Sequence, residues 1–270
     1  MSGASCSNNP QHKVTDTDRH DFQHDGLTLS YLDAGGGGPV LITLHAHLRE
    51  GLTFAPIAKA LSPQWRVIAL DQRGHGHSDH ATTYTRSDYL GDIAALFTHL
   101  GLEAAVLLGN SLGVANAYQF AALHPERVRG LVIENVGAVV NDDTSFVLPW
   151  AGTFATREDL VERIGARFAP YFADSFRPTP DGWKLAVVAS QALLNGEHWD
   201  DWLASRCPAL LIRGRDSKVT TAAHFEDMAA RRPNTTLVTL EAGHVVHMDN
   251  AAGFAAAVMT FLRSLADLAD

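Results

Sequence analysis

The stretch AAVLLGNSLGVANAYQFAALH, residues 104–124, joins an apolar run typical of a buried strand to a run typical of a helix. The two runs meet at the pentapeptide Gly109-Asn110-Ser111-Leu112-Gly113. In the order strand, Gly-x-Ser-x-Gly, helix, this motif is typical of a nucleophile elbow, a sharp turn that exposes a serine hydroxyl at the edge of a sheet. The glycines suit that turn because they lack a Cβ and let strand and helix approach closely. Ser111 is therefore the candidate nucleophile.

Length and charge limit the class of protein. A chain of 270 residues is long enough for one large domain, or for one domain with an insertion. The formal net charge of −9, with no basic run, argues against a nucleic-acid partner. No apolar stretch approaches the roughly 20 residues that span a bilayer, so we expect no membrane partner. The expected partner is a small-molecule substrate, and the sequence does not indicate an oligomeric state.

The N-terminal segment and the cysteines bear on location. Residues 1–24 are polar and lack the apolar core of a secretory signal, which predicts a flexible tail with the fold beginning at Asp25. The two cysteines, Cys6 and Cys207, lie far apart and indicate no disulfide framework. We therefore expect a reducing compartment, the cytoplasm.

Strand-like and helix-like runs alternate along the rest of the chain. Short apolar runs predict strands that are buried on both faces, and amphipathic runs between them predict helices. Such alternation predicts an α/β fold in which a mostly parallel sheet is covered by helices. The predicted strands are Leu27–Ala34, Val40–Leu44, Trp65–Leu70, Ala104–Leu108, Val128–Val136, Ala209–Ile212 and Thr236–Leu240.

Residues 141–206 interrupt this alternation, because no strand pattern is evident there and the segment is rich in aromatic residues. We predict a small helical cap at 141–206, on a core formed by residues 25–140 and 207–270. Most of the aromatic side chains should pack inside the cap. A few should line a substrate pocket over Ser111, since open α/β sheets bind ligands at the carboxyl ends of their strands. The pocket candidates in this segment are Trp150, Phe154, Trp183, Trp199 and Trp202.

Four motifs in chain order resemble those of the α/β-hydrolase superfamily, and the resemblance extends from about Leu27 to Leu265. The resemblance implies the α/β-hydrolase fold and, because the elbow holds a serine, the serine-nucleophile branch with a helical cap. This fold hosts many chemistries, so the substrate does not follow from it. The motifs are LHAH at 44–47, DQRGHGHSD at 71–79, GNSLG at 109–113 and GHVVH at 243–247, where the family carries its catalytic histidine.

The resemblance also implies a catalytic triad in the order Ser, acid, His. Ser111 is the nucleophile, and His244 is the base that takes its proton and later donates it to the leaving group. Asp216, just after the strand Ala209–Ile212, is the implied acid that orients the histidine. Glu134, at the end of the preceding strand, is the alternative acid, because some members of the family supply it from there. The sequence leaves both acids open.

The oxyanion hole should consist of backbone N–H groups. One comes from Leu112, and the other comes by resemblance from His47. Here the chain departs from the family pattern, since Ala46 replaces the usual glycine. The imidazole of His47 is expected at the mouth of the site. His45 and His247 are further pocket candidates.

The run His75-Gly76-His77-Ser78-Asp79-His80 also spells His-x-His-x-Asp-His, the zinc-ligand run of metallo-β-lactamase-like hydrolases. A zinc hydrolase is therefore an alternative. The same residues are already explained by the motif at 71–79, so we expect no metal and no cofactor.

The sequence predicts an enzyme, a serine hydrolase that cleaves a small carboxylic ester or lactone through an acyl-enzyme. Hydrolysis of an amide or a carbon–carbon bond, or lyase chemistry, remains an alternative with the same triad. A non-catalytic ligand receptor is a further alternative. The complete set of serine, acid and histidine counts against it, because a binding protein needs no activated nucleophile.

Overall fold

The computed structural model describes residues 18–141, 145–172, 175–185 and 195–266 of the chain. The strands in those ranges, numbered along the chain, are β1 (Asp18–His24), β2 (Leu27–Asp33), β3 (Val40–Leu44), β4 (Arg66–Asp71), β5 (Ala105–Asn110), β6 (Val128–Glu134), β7 (Val139–Val140), β8 (Thr153–Phe154), β9 (Phe176–Thr179), β10 (Gly182–Leu185), β11 (Gly196–Glu197), β12 (Ala209–Gly214) and β13 (Thr235–Leu240). The helices there are α1 (Ala55–Leu61), α2 (Arg86–His99), α3 (Leu112–Leu123), α4 (Arg157–Ile164), α5 (Ala169–Phe172), α6 (Trp199–Ala204), α7 (Ala222–Arg231), α8 (Val246–Asp249) and α9 (Ala251–Ala266).

One large sheet positions the candidate nucleophile. Among the described residues it has eight strands in the order β1-β2-β4-β3-β5-β6-β12-β13. The pairs β1–β2 and β2–β4 are antiparallel, and every pair from β4 to β13 is parallel. Parallel strands end at the same side of a sheet, here called the carboxyl edge, so the loops after β3, β4, β5, β6, β12 and β13 meet there. The predicted mostly parallel sheet is confirmed.

Helices cover both faces of this sheet. Alternate side chains of β5 point to opposite faces, as the two-residue period of a strand requires. Leu107 packs with side chains of α2 and α3 on one face. Val106 and Leu108 pack with side chains of α1 and α9 on the other. No helix in the described ranges is both long enough and apolar enough to cross a membrane.

The fold begins earlier than the sequence predicts. Strand β1 covers the last seven residues of the expected tail and pairs along its whole length with β2. Its residues are mostly exposed, and Phe22 supplies its one buried side chain. An edge strand with a single buried residue carries no hydrophobic period, which is why the pattern gave no sign of it. The rest of the predicted tail, residues 1–17, lies outside the described residues.

The cap is not purely helical, which corrects the prediction. Besides α4 and α5 it contains a three-stranded antiparallel sheet in the order β8-β10-β9, and β7 pairs with β11. These strands have two to four residues each, too few to show a period in the sequence. The described part of the cap has its own apolar cluster, in which Trp150, Leu160 and Phe176 are buried.

Helix α6 packs with the core although the predicted cap includes it. Trp202 on this helix is fully buried. Its indole N–H donates to the carbonyl oxygen of Met228 at 3.1 Å, and its ring lies edge-on to Tyr118 of α3. A six-residue helix with one apolar face does not reveal from its sequence which surface that face will meet.

Close packing between β5, α3 and β3 leaves no space for side chains at two glycines. A Cβ on Gly113 would lie 1.9 Å from the carbonyl oxygen of Leu44, at the end of β3. A Cβ on Gly109 would lie 2.3 Å from the carbonyl oxygen of Gly113. Both neighbours are backbone atoms, which cannot rotate away as a flexible side chain can. The helix therefore reaches the ends of both strands only because these two residues are glycine.

Replacing Gly113 by Ala should lower the free energy of unfolding by about 3 kcal/mol, the upper range for overpacking against a rigid neighbour. Gly37→Ala is the matched control, since its Cβ would have no atom within 4 Å. Urea denaturation of both variants measures the effect. Equal stability of the two variants would show that the elbow tolerates a side chain.

Candidate active site

Ser111 lies at the sharp turn between β5 and α3. Its backbone angles are φ 51° and ψ −111°, a combination that residues other than glycine rarely adopt. The residue is 9% exposed, so a small part of it reaches the surface at the carboxyl edge. Strand, strained serine and helix occur in the order that the pentapeptide predicts.

The two predicted oxyanion donors lie on neighbouring elements. Leu112 is the first residue of α3, and the first N–H groups of a helix have no intrahelical acceptor. His47 follows β3, which pairs with β5 in a register that places Leu44 opposite Gly109. Both residues are therefore at the carboxyl edge on adjacent strand ends, beside Ser111.

The side chain of His45 joins two loops at the carboxyl edge. It is fully buried, and its Nδ1–H donates to the carbonyl oxygen of Ala46 at 2.7 Å. Its Nε2 accepts from the backbone N–H of Gln72 at 3.0 Å. The ring thus ties the loop after β3 to the loop after β4. Burial holds the pKa of His45 well below its usual range, which keeps the ring neutral in this tautomer.

His47 and His75 form a buried pair of neutral rings, 5.9 Å apart between centroids. Burial, with a smaller contribution from His75, lowers the pKa of His47 to about 3. Burial likewise lowers the pKa of His75 to about 4. Within the described residues, neither ring nitrogen of His47 has a hydrogen-bond partner. A buried polar group without a partner is destabilising, and a ligand that hydrogen-bonds it relieves that cost.

His244 is on the loop between β13 and α8, and this loop folds back across β12. The side-chain amide of Asn135 donates to the carbonyl oxygens of Gly243 and His244, both at 2.9 Å. Asn135 follows β6, the neighbour of β5, so the contact brings His244 to the strand end beside that of Ser111. The same side chain accepts from the N–H of Gly214 at 3.2 Å.

Asn135 belongs to the candidate site, although its sequence context does not reveal it. Its φ is 60°, a left-handed conformation that asparagine tolerates better than most residues. An asparagine directly after a buried strand was the available signal, but it is common in ordinary turns. Its role emerges only when the loops after β6, β12 and β13 are seen together.

Asp216 lies on the loop after β12, alongside the loop that carries His244. Its backbone N–H donates to the carbonyl oxygen of Ala242 at 3.0 Å, and the N–H of Arg215 donates to that of Leu240 at 2.8 Å. The two loops are therefore joined by main-chain bonds. The Asp216 residue itself is exposed.

Glu134 forms a buried pair with His247. Its carboxylate accepts from the Nδ1–H of His247 at 2.7 Å and from the backbone N–H of His247 at 2.9 Å. Both side chains are fully buried. The Nε2 of His247 lies 2.9 Å from the hydroxyl of Thr53, and its ring stacks on Phe54. The pair fastens α8 to the end of β6.

The five aromatic pocket candidates divide into three groups. Trp150 is buried in the cap cluster, and Phe154 packs against that cluster beside Phe176. Trp199 packs against the main core, next to the fully buried Trp202. Trp183, the third group, lines a cleft together with residues of the cap and of the core.

The His75–His80 run holds the loop after β4 together. The Nδ1–H of His75 donates to the carbonyl oxygen of Arg73 at 2.9 Å. Asp79 accepts from the N–H of Thr28 at 2.7 Å, and Ser78 donates to the carbonyl oxygen of Asp71 at 2.5 Å. In the part of the chain that the structure describes, no three His, Cys, Asp or Glu side chains are grouped as a metal ion would need.

Known proteins resemble this chain in sequence and in fold. A family model for the alpha/beta hydrolase fold matches residues 39–157. The 2-(acetamidomethylene)succinate hydrolase of Mesorhizobium japonicum is 29% identical over 82% of this chain and 86% of its own. The 3-oxoadipate enol-lactonase 2 of Acinetobacter baylyi is 26% identical over 73% of this chain and 78% of its own. A crystal structure of E-2-(acetamidomethylene)succinate hydrolase has a TM-score of 0.79, with 24% identity over 91% of this chain and 99% of its own.

The buried histidines predict a loss of stability in acid. A histidine whose pKa is lowered in the folded state binds a proton more readily when the chain is unfolded. Its contribution to the free energy of unfolding is therefore complete above about pH 6.5 and is lost as the pH falls toward the folded-state pKa. For His47 that window runs from about pH 6.5 to about 3. Within it, the free energy of unfolding should fall by up to about 1.4 kcal/mol per pH unit for this residue.

Denaturant unfolding of wild type and His47→Leu between pH 8 and pH 4 tests this. The variant should lose less stability than wild type over that range, because leucine does not titrate. If the free energy of unfolding fell by the same amount in both proteins over this pH range, the assignment of a buried neutral ring to His47 would be contradicted.

Proposed function

Because this chain belongs to the α/β-hydrolase superfamily, we propose that it is a serine hydrolase that cleaves a small carboxylic ester or lactone through an acyl-enzyme. The observation that carries the proposal is the strained Ser111 between β5 and α3. A strained backbone at a partly exposed serine costs stability, and such strain is typical of functional sites. That the chain is a hydrolase follows from its relatives, which are named hydrolase and enol-lactonase.

In the proposed reaction the hydroxyl oxygen of Ser111 attacks the carbonyl carbon of the substrate. His244 accepts the hydroxyl proton and then donates it to the departing alcohol oxygen. The N–H groups of Leu112 and His47 stabilise the negative charge that develops on the carbonyl oxygen. A water molecule, deprotonated by His244, then releases the acid and regenerates the serine. The hydrogen bonds from the Asn135 side chain to the backbone of Gly243 and His244 support this role, because they bring His244 to the strand end next to that of Ser111.

We propose Asp216 as the acid of the triad. Two observations favour it over Glu134. The carboxylate of Glu134 already binds two N–H groups of His247. The loop of Asp216, in contrast, is bonded to the loop of His244 two residues before the histidine. Glu134 is then a positioning residue that holds α8, and through it the histidine loop, on the sheet.

The names of the relatives favour an ester or lactone as the substrate, and one of them also supports an amide-like bond as a second candidate. The lactonase name indicates cleavage of a cyclic ester. The name of the other relative contains an acetamido group, which favours an amide-like substrate as the second candidate. A panel of p-nitrophenyl esters, lactones and anilides, each assayed with Ser111→Ala as control, separates the two. Faster turnover of the anilides would replace the ester proposal.

A fluorophosphonate probe should label the protein at Ser111, because the probe reacts with activated serines. Labelling is detected by intact mass and located by peptide sequencing. Ser111→Ala should lose the label, whereas Ser145→Ala, a serine in the cap, should keep it. A label that persists in Ser111→Ala would place the nucleophile elsewhere.

Asp216→Asn should lower kcat by between about 10² and 10⁴, the upper value being that seen for a buried triad acid. The exposure of Asp216 places the expectation below that limit. Glu134→Gln should lower the free energy of unfolding, because it weakens a buried pair, and should leave more of the rate intact. The two variants are compared by kcat and by urea denaturation. A nearly normal Asp216→Asn beside an inactive but folded Glu134→Gln would make Glu134 the acid.

A further inference from the structure

Leu48, the residue after His47, has a backbone angle that its side chain disfavours. Its φ is 65°. A positive φ brings the Cβ of an ordinary residue too close to a neighbouring carbonyl oxygen, so bulky residues rarely adopt it. Of the five described residues other than glycine that have a positive φ, three are asparagine or aspartate, which tolerate it better. The other two are Ser111 and Leu48, which lie beyond the ends of the neighbouring strands β5 and β3.

The side chain of Leu48 is buried in the apolar cluster of the cap. The residue is 2% exposed, and its cluster includes Leu160 of α4. All the other described members of this cluster lie within the predicted cap, 141–206, so Leu48 is the member that the loop after β3 supplies. Burial of a leucine side chain is worth about as much free energy as the strained angle costs, or more. The contact with the cap therefore offsets the strain in the loop.

The strained residue lies beside one of the two N–H groups in the proposed mechanism. Among the described residues the backbone N–H of His47 has no hydrogen-bond acceptor, so it is available to a substrate oxygen. Before His47 the loop is fixed by polar contacts, since the ring of His45 donates to the carbonyl oxygen of Ala46 and the amide of Gln72 donates to that of His45. After His47 the loop is fixed by the apolar contact of Leu48.

The angle φ of Leu48 describes rotation about its N–Cα bond. A change in this angle would turn the peptide that joins Leu48 to His47 relative to the cap. If the side chain lost its contacts in the cluster, relaxation of φ to a negative value would lower the free energy and move that peptide. An oxyanion donor acts within about 2.7–3.1 Å of the developing charge, so even a small displacement weakens it.

We propose that Leu48 is a positioning residue through which the cap sets the place of the His47 N–H. The packing of its side chain in the cap holds a strained backbone, and this backbone holds the oxyanion donor that precedes it. The inference rests on the hydrolase function proposed above. The cap thereby contributes to stabilisation of the transition state, in addition to any wall that it forms for the substrate.

Kinetics with a p-nitrophenyl ester and its thionoester, in which sulfur replaces the carbonyl oxygen, test this inference. Sulfur is a weak hydrogen-bond acceptor, so the thionoester depends less on the oxyanion donors. Leu48→Ala should lower kcat for the ester by about tenfold or more with little change in KM, since complete loss of a donor costs about 10²–10³. The ratio of kcat/KM for the ester to that for the thionoester should also fall by about tenfold. A purely structural role of Leu48 would lower both rates equally.

Three further variants serve as controls, and circular dichroism checks that each is folded. Leu160→Ala removes the same atoms from the same cluster but leaves Leu48 in place, so its ratio should stay within about twofold of wild type. Leu48→Met keeps the side-chain volume and should restore the ratio. Leu48→Gly should keep more of the ratio than Leu48→Ala, although it is smaller, because glycine adopts a positive φ without strain. If Leu48→Ala does not fold, Leu48→Val replaces it, since a β-branched residue keeps apolar contact but disfavours a positive φ.

Three results would overturn the inference while wild type still hydrolyses the ester through Ser111. The first is an unchanged ratio in folded Leu48→Ala, or in Leu48→Val in its place. The second is an equal fall in Leu160→Ala, which would make the effect one of cap packing in general. The third is a ratio in Leu48→Gly no higher than in Leu48→Ala, which would show that the strained angle has no part in it. If instead wild type hydrolyses no ester, or Ser111→Ala keeps full activity, the proposed function fails and this inference fails with it.

Discussion

The approach of α3 to the end of β3 is the constraint on which the site depends. Gly113 lies so close to the carbonyl oxygen of Leu44 that a single methyl group would not fit. This contact sets Leu112 and the loop of His47 on the two sides of Ser111. If a side chain held the helix further away, the N–H groups of Leu112 and His47 would no longer be placed for the role in the proposed mechanism, which is to bind one oxygen atom together. The position of the proposed reactive centre is thus a consequence of main-chain packing.

Polar side chains then fix the loops that this packing brings together. The amide of Gln72 donates to the carbonyl oxygen of His45 at 2.7 Å and accepts from the amide of Asn116, on α3, at 2.6 Å. Asp71 accepts from Gly51 and His77, and so joins the loops after β3 and β4. The side chains of Asp71, Gln72 and Asn116 are buried and would be costly if unpaired, so the loops are held in one arrangement.

The sequence predicts those parts of the molecule in which local pattern and final environment agree. Strands such as β5 are buried on both faces, and their runs of apolar residues show it directly. The sharp turn at Ser111 and the parallel sheet could be inferred for that reason. β1 could not be, because one buried phenylalanine makes no pattern. The sequence also could not predict where Trp202 packs, because its contacts are with the distant residues Tyr118 and Met228. For the same reason the contacts of Glu134 and Asp216 became visible only when neighbouring strand ends were compared.

The three hydrogen bonds of the Asn135 side chain limit which residues can occupy this position. Its amide nitrogen faces two carbonyl oxygens while its amide oxygen faces an N–H group. Aspartate has nearly the same shape, but it would place a negatively charged acceptor against two other acceptors. Conversion of this asparagine to aspartate would therefore repel the loop that it now holds, with almost no change in volume. An amide also has no proton to gain or lose in water near neutrality. The hydrogen bonds from Asn135 to the loop of His244 should therefore be unchanged across the pH range in which the histidines titrate.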